Sequence, residues 1–307
     1  MTEFAASFLH ALAAAFGRLP WAWRNRIGDA VAVLWRALNA RESRVARRNL
    51  ELAYPALAPD ARAQLHLAVL RTTARQALET LRFWTRPHTD NLALLRETPG
   101  VDLFEAAIAA GRGVIVAAPH YGNWELLNQW LATRTPLAIL YRPPDSKNGE
   151  AFLQRVRADD GGRVTQVRAE GTAVRQLFKL LQGGGVVGIL PDQQPKVGDG
   201  AFAPFFGKQA LTMTLLPRLA ARTGAVVLLA YCERIVGADA PTFALHIEAA
   251  PVEIAAADPA VGAAALNAAV ERIARRDPAQ YQWTYKRYTL RPPGSGEGNP
   301  YRDLERH

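Results

Sequence analysis

The sequence predicts an α/β protein whose largely parallel central sheet is flanked by helices and preceded by an N-terminal helical segment. Two observations predict this fold class. From residue 100 onward, apolar strands alternate with amphipathic helices, which is the pattern of a parallel sheet. Apolar residues make up 49% and charged residues 21% of the 307 residues, which indicates a folded chain with a large core.

The first fifty residues contain two predicted apolar helices separated by Pro20. Trp21 and Trp23 follow this proline and stand beside arginines. Such a composition is typical of a membrane interface, where the rings lie at headgroup depth and the cations meet lipid phosphates. We therefore expect residues 1–50 to associate with a membrane; packing of these helices on the core is the alternative. Further arginines at helical spacing are expected to face anionic lipid: Arg41, Arg44, Arg47 and Arg48.

The remaining elements are assigned from hydrophobic period and turn residues. In order, they are helix 60–83, helix 102–110, strand 114–118, helix 123–132, strand 137–141, helix 149–157, helix 172–182, strand 185–190, helix 211–222, strands 225–232 and 243–249, and helix 260–276. We expect residues 51–290 to form one domain. Residues 291–307 have almost no apolar side chains and are predicted to be a flexible polar tail.

The formal charge of +9 predicts an anionic partner: nucleic acid, an anionic membrane face or an acidic carrier. No recognised nucleic-acid reader motif is present, which disfavours nucleic acid. No apolar stretch reaches the roughly 18 residues of a spanning helix, and no basic residue precedes the first apolar run as in an export signal. We expect the protein to lie on the cytoplasmic side. Cys232 lies in an apolar strand and is expected to be a buried, inert thiol.

Residues 114–127 carry the clearest chemical signal. A buried strand leads to His120 at the carboxyl edge of the sheet, where ligands bind in open α/β folds. Asn123 then begins a helix whose first turn contains Glu125. A neutral imidazole can take the proton of an attacking hydroxyl while a carboxylate fixes its tautomer, so His120 and Glu125 predict general-base catalysis. A purely structural role is the alternative for a single His and Glu.

A covalent mechanism and a metal centre are both disfavoured. The chain has four serines, none in a nucleophile-elbow pattern, and Cys232 has no neighbouring base in the sequence. No second histidine lies near His120 at a metal-ligand spacing. We therefore expect neither a metal nor a cofactor.

Residues 119–125 (PHYGNWE) resemble the His-x4-Asp/Glu block of the glycerolipid acyltransferase superfamily. The form with an aromatic residue, Gly, Asn and Trp is similar to the late acyltransferases of lipid A biosynthesis, the lauroyl and myristoyl transferase branch. Later blocks agree with that branch in order and spacing: residues 141–144 (YRPP), 190–195 (LPDQQP), 203–207 (APFFG) and 280–288 (QYQWTYKRY). The similarity spans about residues 40–290.

This resemblance implies a glycerolipid-acyltransferase-like fold, with residues 51–290 as the acyltransferase domain. It implies a thioester of acyl carrier protein or coenzyme A as donor substrate and a glycolipid hydroxyl, that of a lipid A precursor, as acceptor. It also implies a peripheral or monotopic position on the cytoplasmic face of a bacterial inner membrane, in contact with anionic lipid. Within it, His120 is expected to act as general base and Glu125 to orient it.

Three arginines are candidates for the site. The family has an arginine after its second motif that is implicated in activity, and Arg157 fits this position, with Arg155 as a near alternative. A guanidinium beside the catalytic pair could stabilise the thioester oxyanion or bind a phosphate. A surface arginine on a basic helix is the other interpretation. Arg142 lies at a strand end and is predicted to bind substrate.

Three further residues are predicted to bind substrate. Asp192 lies at a strand end, where it could orient an arginine or hold the active-site loop; a turn aspartate is the alternative. Gln193 follows it in the same motif, and Asn123 lies between the predicted catalytic residues.

Two other functions remain open from the sequence. A non-catalytic lipid-binding or membrane-docking protein could keep the same fold, and an acyltransferase could act on another lipid. Replacement of His120 distinguishes the first of these, because a binding protein does not need a general base.

Overall fold

A computed structural model describes residues 2–97, 100–144, 146–157, 162–169, 171–235 and 241–305 of the chain. Helices form its N-terminal part: α1 (Thr2–Gly17), α2 (Trp21–Ala37), α3 (Arg41–Ala53) and α4 (Pro59–Phe83). The predicted break at Pro20 is confirmed, since α2 begins at the next residue. Pro59 occupies the first turn of α4, where its missing N–H removes no helical hydrogen bond. Within the described residues, no helix has both the length and the apolar character needed to cross a membrane.

The largest sheet of the described residues has seven strands in the order β1-β9-β8-β2-β5-β3-β4. These strands are β1 (Leu95–Glu97), β2 (Val114–Ala117), β3 (Leu137–Tyr141), β4 (Val164–Arg168), β5 (Val186–Ile189), β8 (Val226–Ile235) and β9 (Thr242–Ala249). Every pairing is parallel except that of β8 with β9, so the predicted largely parallel sheet is confirmed. All four residues of β2 are buried, as expected for a central strand between two layers of helices.

Helices cover the sheet and connect its strands. They are α5 (His88–Leu92), α6 (Val101–Ala109), α7 (Trp124–Arg134), α8 (Lys147–Arg157), α9 (Ala173–Gln182), α10 (Leu215–Thr223) and α11 (Pro259–Ala274). Cys232 is buried in β8, as predicted from the sequence. Burial raises the pKa of its thiol well above the ordinary value.

The predicted helix 211–222 is wrong at its start. Residues Gly200–Phe205 (β6) and Lys208–Met213 (β7) form an antiparallel hairpin, and α10 begins only at Leu215. The hairpin is held by α11, because the Asn267 amide donates to the carbonyl oxygens of Ala203 and Pro204 at 3.3 and 3.1 Å. Leu211 has helical spacing to the leucines of α10, which is why periodicity alone extended the helix too far.

Described residues of the predicted polar tail contact α3. Tyr301 is fully buried, and its hydroxyl donates to the side-chain oxygen of Asn49. Asp303 forms an ion pair with Arg48 at 2.7 Å, and Arg44 donates to the carbonyl oxygen of Leu304 at 3.3 Å. Arg44 and Arg48, which were predicted to face lipid, therefore hold residues 301–304 against α3.

Candidate active site

The loop after β2 presents His120 at the carboxyl edge of the sheet. Gly122 has a φ of 59°, and a side chain there would overlap with the carbonyl group of Cys232, so only glycine fits this turn. The loop is fixed on both sides: the Gly122 N–H donates to the Gln280 carbonyl at 3.1 Å, and the Asn123 N–H donates to the Cys232 carbonyl at 2.8 Å. The backbone therefore determines where the imidazole lies.

Asp192 contacts His120 at two points. The Nδ1 atom of His120 lies 2.7 Å from Oδ1 of Asp192, and the backbone N–H of His120 donates to Oδ2 at 2.9 Å. Asp192 follows β5, which is the parallel neighbour of β2, so both residues lie at the same edge of the sheet. Asp192, rather than the predicted Glu125, contacts the imidazole.

The charge state of Asp192 follows from its surroundings. The carboxylate is 5% exposed. Burial opposes its ionisation, but the His120 ring and the hydrogen bonds from His120 bring the pKa of Asp192 below its ordinary value. Because an ionised carboxylate only accepts, the shared proton belongs to Nδ1 of His120. A neutral His120 then carries its lone pair on Nε2.

Gln193 lies at that second nitrogen. Its Nε2 is 3.3 Å from Nε2 of His120, so its amide can donate to the lone pair. An attacking hydroxyl has to take this position in order to lose its proton to His120. The predicted site residue Gln193 therefore lies against the nitrogen that a general-base role of His120 would require.

Glu125 binds Arg157. One Glu125 oxygen accepts from Nε and Nη2 of Arg157 at 3.0 and 2.7 Å, and both side chains are largely buried, at 4% and 10% exposure. The indole of Trp124 lies between this ion pair and the histidine, 4.7 Å from the Arg157 guanidinium and 6.1 Å from the His120 ring. Arg155 instead donates to the Ser7 hydroxyl. Of the two candidate arginines, Arg157 is the one beside the site.

The other two predicted binding residues lie in different settings. The Asn123 side chain is 1% exposed and caps α7, with its oxygen 3.4 Å from the Leu126 N–H and its amide 3.4 Å from Glu79. These contacts hold the Asn123 side chain at the start of α7. Arg142 is exposed at the end of β3, and its charge opposes the burial that raises the pKa of Tyr285. Arg142 therefore lies near the rim of the site.

The C-terminal segment, residues 280–288, makes contacts with the site that the motif alone did not predict residue by residue. The Gln282 N–H donates to the His120 carbonyl at 3.0 Å, and the Gln194 N–H donates to the Tyr285 hydroxyl at 3.0 Å. Tyr281 is buried, and burial and the nearby Asp192 charge raise the pKa of its hydroxyl. The sequence signal that could have indicated these contacts was the run of aromatic residues in a segment with neither a strand nor a helix pattern.

Two cavities adjoin these residues. One is lined by Asp192 and Gln193 together with aromatic side chains of the C-terminal segment. The other is lined by Glu125 and Arg157 and by residues of α7, α8 and the sheet, and it is open to solvent. Its apolar lining residues are Trp84, Ala132, Ile139, Val156 and Val164. Among the described residues, no group of three or more His, Cys, Asp or Glu side chains is placed to hold a metal ion.

The arrangement suits an enzyme of the α/β class that takes a proton from a bound hydroxyl at Nε2 of His120. Sequence comparison identifies the family: the profile of the bacterial lipid A biosynthesis acyltransferases matches residues 1–289, and the chain belongs to this family. The protein is therefore an acyltransferase, and the resemblance read from its motifs is confirmed.

Its relatives include acyltransferases of two kinds of glycolipid. The lipid A biosynthesis palmitoleoyltransferase of Escherichia coli is 27% identical over 281 residues, which cover 90% of this chain and 88% of the relative. The lipid A biosynthesis lauroyltransferase of the same organism is 24% identical over 278 residues, covering 90% and 89%. The phosphatidylinositol mannoside acyltransferase of Mycobacterium tuberculosis (strain CDC 1551 / Oshkosh) is 30% identical over 187 residues, covering 58% and 56%.

Proposed function

We propose that the protein transfers a fatty acyl group from a thioester of acyl carrier protein or coenzyme A to a hydroxyl of a lipid A precursor, with His120 as general base and Asp192 as its orienting carboxylate. The observation that carries the mechanism is the 2.7 Å contact between His120 Nδ1 and Asp192 Oδ1. The names of the relatives that match most of the chain support the acceptor.

The reaction proceeds by direct transfer. The acceptor oxygen attacks the thioester carbonyl carbon as its proton moves to Nε2 of His120, which gives a tetrahedral oxyanion and an imidazolium. The C–S bond then breaks, and the imidazolium returns the proton to the leaving thiolate. Asp192 stays ionised throughout and stabilises the imidazolium, so its low pKa serves this role.

Gln193 exchanges partners during binding. In the free protein, its amide contacts His120 Nε2, and an arriving acceptor hydroxyl displaces it. The released amide remains close enough to donate to an acceptor oxygen. In this way Gln193 protects the general base until the substrate arrives.

Glu125 acts through Arg157 in this proposal. The buried ion pair fixes the guanidinium beside Trp124, where it lines the second cavity. A guanidinium held there can stabilise the thioester oxyanion or bind a donor phosphate. Glu125 is thus a positioning residue for Arg157.

The second cavity is suited to the acyl chain. Arg157 lines it together with apolar side chains such as Ile139 and Val156. A lining that combines a cation with apolar side chains matches a thioester with a hydrocarbon tail. The size of this cavity then limits chain length.

The N-terminal helices provide the membrane contact in this proposal. Of the fourteen exposed large apolar side chains in the described residues, eight lie between Phe8 and Leu38. Such clustering marks an interaction surface rather than scattered exposure. With Trp23 among them at 56% exposure, the surface suits the headgroup region on the cytoplasmic face of an inner membrane.

The acceptor has one alternative with specific support. The mycobacterial relative is named for a phosphatidylinositol mannoside and is 30% identical over its aligned part. That alignment covers little more than half of each chain, whereas the lipid A relatives align over most of it. The lipid A precursor is therefore the first acceptor to test.

The test is a transfer assay with purified wild type and His120→Ala in neutral detergent. Acyl carrier protein and coenzyme A donors are compared on the lipid A precursor, and mass spectrometry identifies the acylated product. We expect His120→Ala to lower turnover by roughly a hundredfold to ten-thousandfold while the protein remains folded in a thermal melt. A folded His120→Ala protein with near-normal turnover would disprove the mechanism. Absence of transfer by the wild type, together with retained lipid binding, would favour the binding protein.

A further inference from the structure

Arg24 in α2 is a buried cation that has no carboxylate partner among the described residues. The residue is 2% exposed, and Nη1 donates to the Gly17 carbonyl at 3.1 Å. Its Nε has no hydrogen-bond partner in the part of the chain that the structure describes. The charged side chains that act on it are two further cations, Arg82 and Arg234. Desolvation and these cations lower the pKa of Arg24 to about 10.

Arg82 of α4 shares this environment. The guanidinium carbons of Arg24 and Arg82 lie 3.7 and 5.1 Å from the ring centre of Trp21, so both cations contact the same indole. Arg82 is only half-buried, and its Nε also has no hydrogen-bond partner among the described residues. Asp90 is the carboxylate that acts on Arg82, and it is already paired with Arg86 at 3.1 Å.

Three nearby arginines, which lie in α4, in the turn after it and in β8, have carboxylate partners: Arg75 pairs with Asp29, Arg86 with Asp90 and Arg234 with Glu79. A buried charge is costly unless it is paired. The Gly17 carbonyl at the end of α1 and the Trp21 ring compensate Arg24 only in part, because a helix end carries about half an elementary charge and cation–π contacts are worth about 0.5–2 kcal/mol.

We propose that Arg24 and Arg82, above the ring of Trp21, form a binding site for a phosphate group carried by a lipid. Guanidinium groups bind phosphate in a bidentate manner, and two of them can share one phosphate. The site lies at the α1–α2 turn, where exposed Trp23 and the apolar side chains of α1 form the surface expected at headgroup depth. The phosphate belongs either to the acceptor or to a headgroup of the surrounding lipid; only the first case rests on the proposed function.

A purely structural Arg24 is the competing interpretation. In that case the Arg24 side chain only ties the end of α1 to α2 through the Gly17 carbonyl, and replacement of the Arg82 guanidinium has no effect on phosphate binding. The half-buried Arg82 is therefore the informative position. Arg26 provides the matched control, because it lies in α2 over the Trp23 ring at 5.6 Å but is exposed.

The experiment measures binding of full-length protein to maltoside micelles doped with phosphatidic acid, with diacylglycerol as the phosphate-free probe. We expect phosphatidic acid to raise the melting temperature and Arg82→Gln to weaken its binding roughly tenfold or more, since a charge-assisted hydrogen bond is lost. Arg26→Gln should change it less than about twofold. Arg24→Lys, which keeps the charge but loses the bidentate geometry, should also weaken binding.

Two further arms identify the source of the phosphate. If the acceptor supplies it, Arg82→Gln raises KM for a phosphorylated acceptor; if a headgroup supplies it, this KM is unchanged while phosphatidic acid binding still falls. His120→Ala should bind phosphatidic acid normally, so failure of the catalytic proposal would leave this result intact. Equal stabilisation by phosphatidic acid and diacylglycerol, or equal losses in Arg82→Gln and Arg26→Gln, would overturn the site.

Discussion

The carboxylate of Asp192 accepts hydrogen bonds from both the ring and the backbone of His120, at 2.7 and 2.9 Å. The two contacts fix the imidazole relative to the loop that carries it, and they leave Nε2 as the nitrogen that faces Gln193. A carboxylate in this position determines the tautomer of the histidine. The orientation of the proposed general base is therefore set by a residue from the neighbouring strand.

Replacing Asp192 by Asn should impair turnover by roughly a hundredfold to ten-thousandfold. The amide keeps the shape, but it removes the charge that stabilises imidazolium and permits the wrong tautomer. The loss should appear in kcat with little change in KM for the donor. Steady-state kinetics of Asp192→Asn are compared with Asp199→Asn, which alters an exposed aspartate of the same loop. Equal activities of the two folded variants would remove Asp192 from the mechanism.

The partner of His120 could not have been predicted from local sequence. Glu125 is five residues from His120 and lies in the first turn of the helix that follows, so sequence spacing favoured Glu125 as the partner. Asp192 is separated from His120 by 72 positions. Only the strand order, in which β5 lies beside β2, brings Asp192 to the histidine. A single sequence does not encode strand order in its periodicity. The positions of His120 and Asp192 at strand ends were predictable, because each follows a short apolar run.

Local pattern predicted some elements of the fold correctly and failed for others. The strand Leu137–Tyr141 was predicted with its observed bounds because it is continuously apolar between a proline and a charged loop. The hairpin of β6 and β7 was missed because its pattern competes with helical spacing across Leu211 and Leu215. Tyr301 lies in a polar segment, and its burial depends on Asn49, which is distant in sequence.

The Glu125–Arg157 ion pair should matter separately for stability and for activity. Glu125→Gln leaves a buried guanidinium without its carboxylate, which should lower the free energy of unfolding by about 3–5 kcal/mol. The double variant Glu125→Gln with Arg157→Met should recover much of this stability but little acyl transfer. Chemical denaturation and steady-state rates measure the two effects, with Arg155→Gln as the control for lost charge on α8. Recovery of full activity in the double variant would contradict a role for Arg157 in transfer.

The second cavity should control acyl-chain length. Ala132 lines it and is 4% exposed, so Ala132→Leu should shorten the preferred donor. Ile139→Ala, which enlarges the same cavity, should favour a longer one. One methylene in an apolar pocket is worth roughly 10–200-fold in discrimination. The measurement is kcat/KM over a series of donors of increasing chain length, in which an unchanged optimum for both variants would place the chain elsewhere.

The exposed apolar side chains of α1 should determine membrane binding. Phe8 and Leu12 are 62% and 49% exposed, and converting both to Ser should weaken vesicle binding by roughly tenfold or more, since each buried apolar side chain contributes about 1.5–3 kcal/mol. Leu103→Ser with Val252→Ser is the control, because these exposed residues lie outside the N-terminal helices. Vesicle flotation measures the effect, and equal losses in both double variants would argue against docking through α1.

Acid stability should depend on Glu233, whose carboxylate lies behind the catalytic loop. It accepts from the Tyr121 hydroxyl at 2.5 Å and from Arg276 at 2.9 Å, and His246 lies 3.2 Å away. The hydrogen bond with His246, opposed by burial and aided by Arg276 and Tyr121, lowers the pKa of Glu233 from 4.5 to about 2. A depressed folded-state pKa means that the stabilisation is complete above about pH 4.5 and is lost as the pH falls toward 2.

Glu233→Gln should therefore be less stable than wild type at neutral pH, and the difference should shrink between pH 4.5 and 2. Urea denaturation across this range is the measurement, with Glu253→Gln as the exposed control. A wild-type minus Glu233→Gln difference that stays constant down to pH 2 would show that the carboxylate gains nothing from these partners.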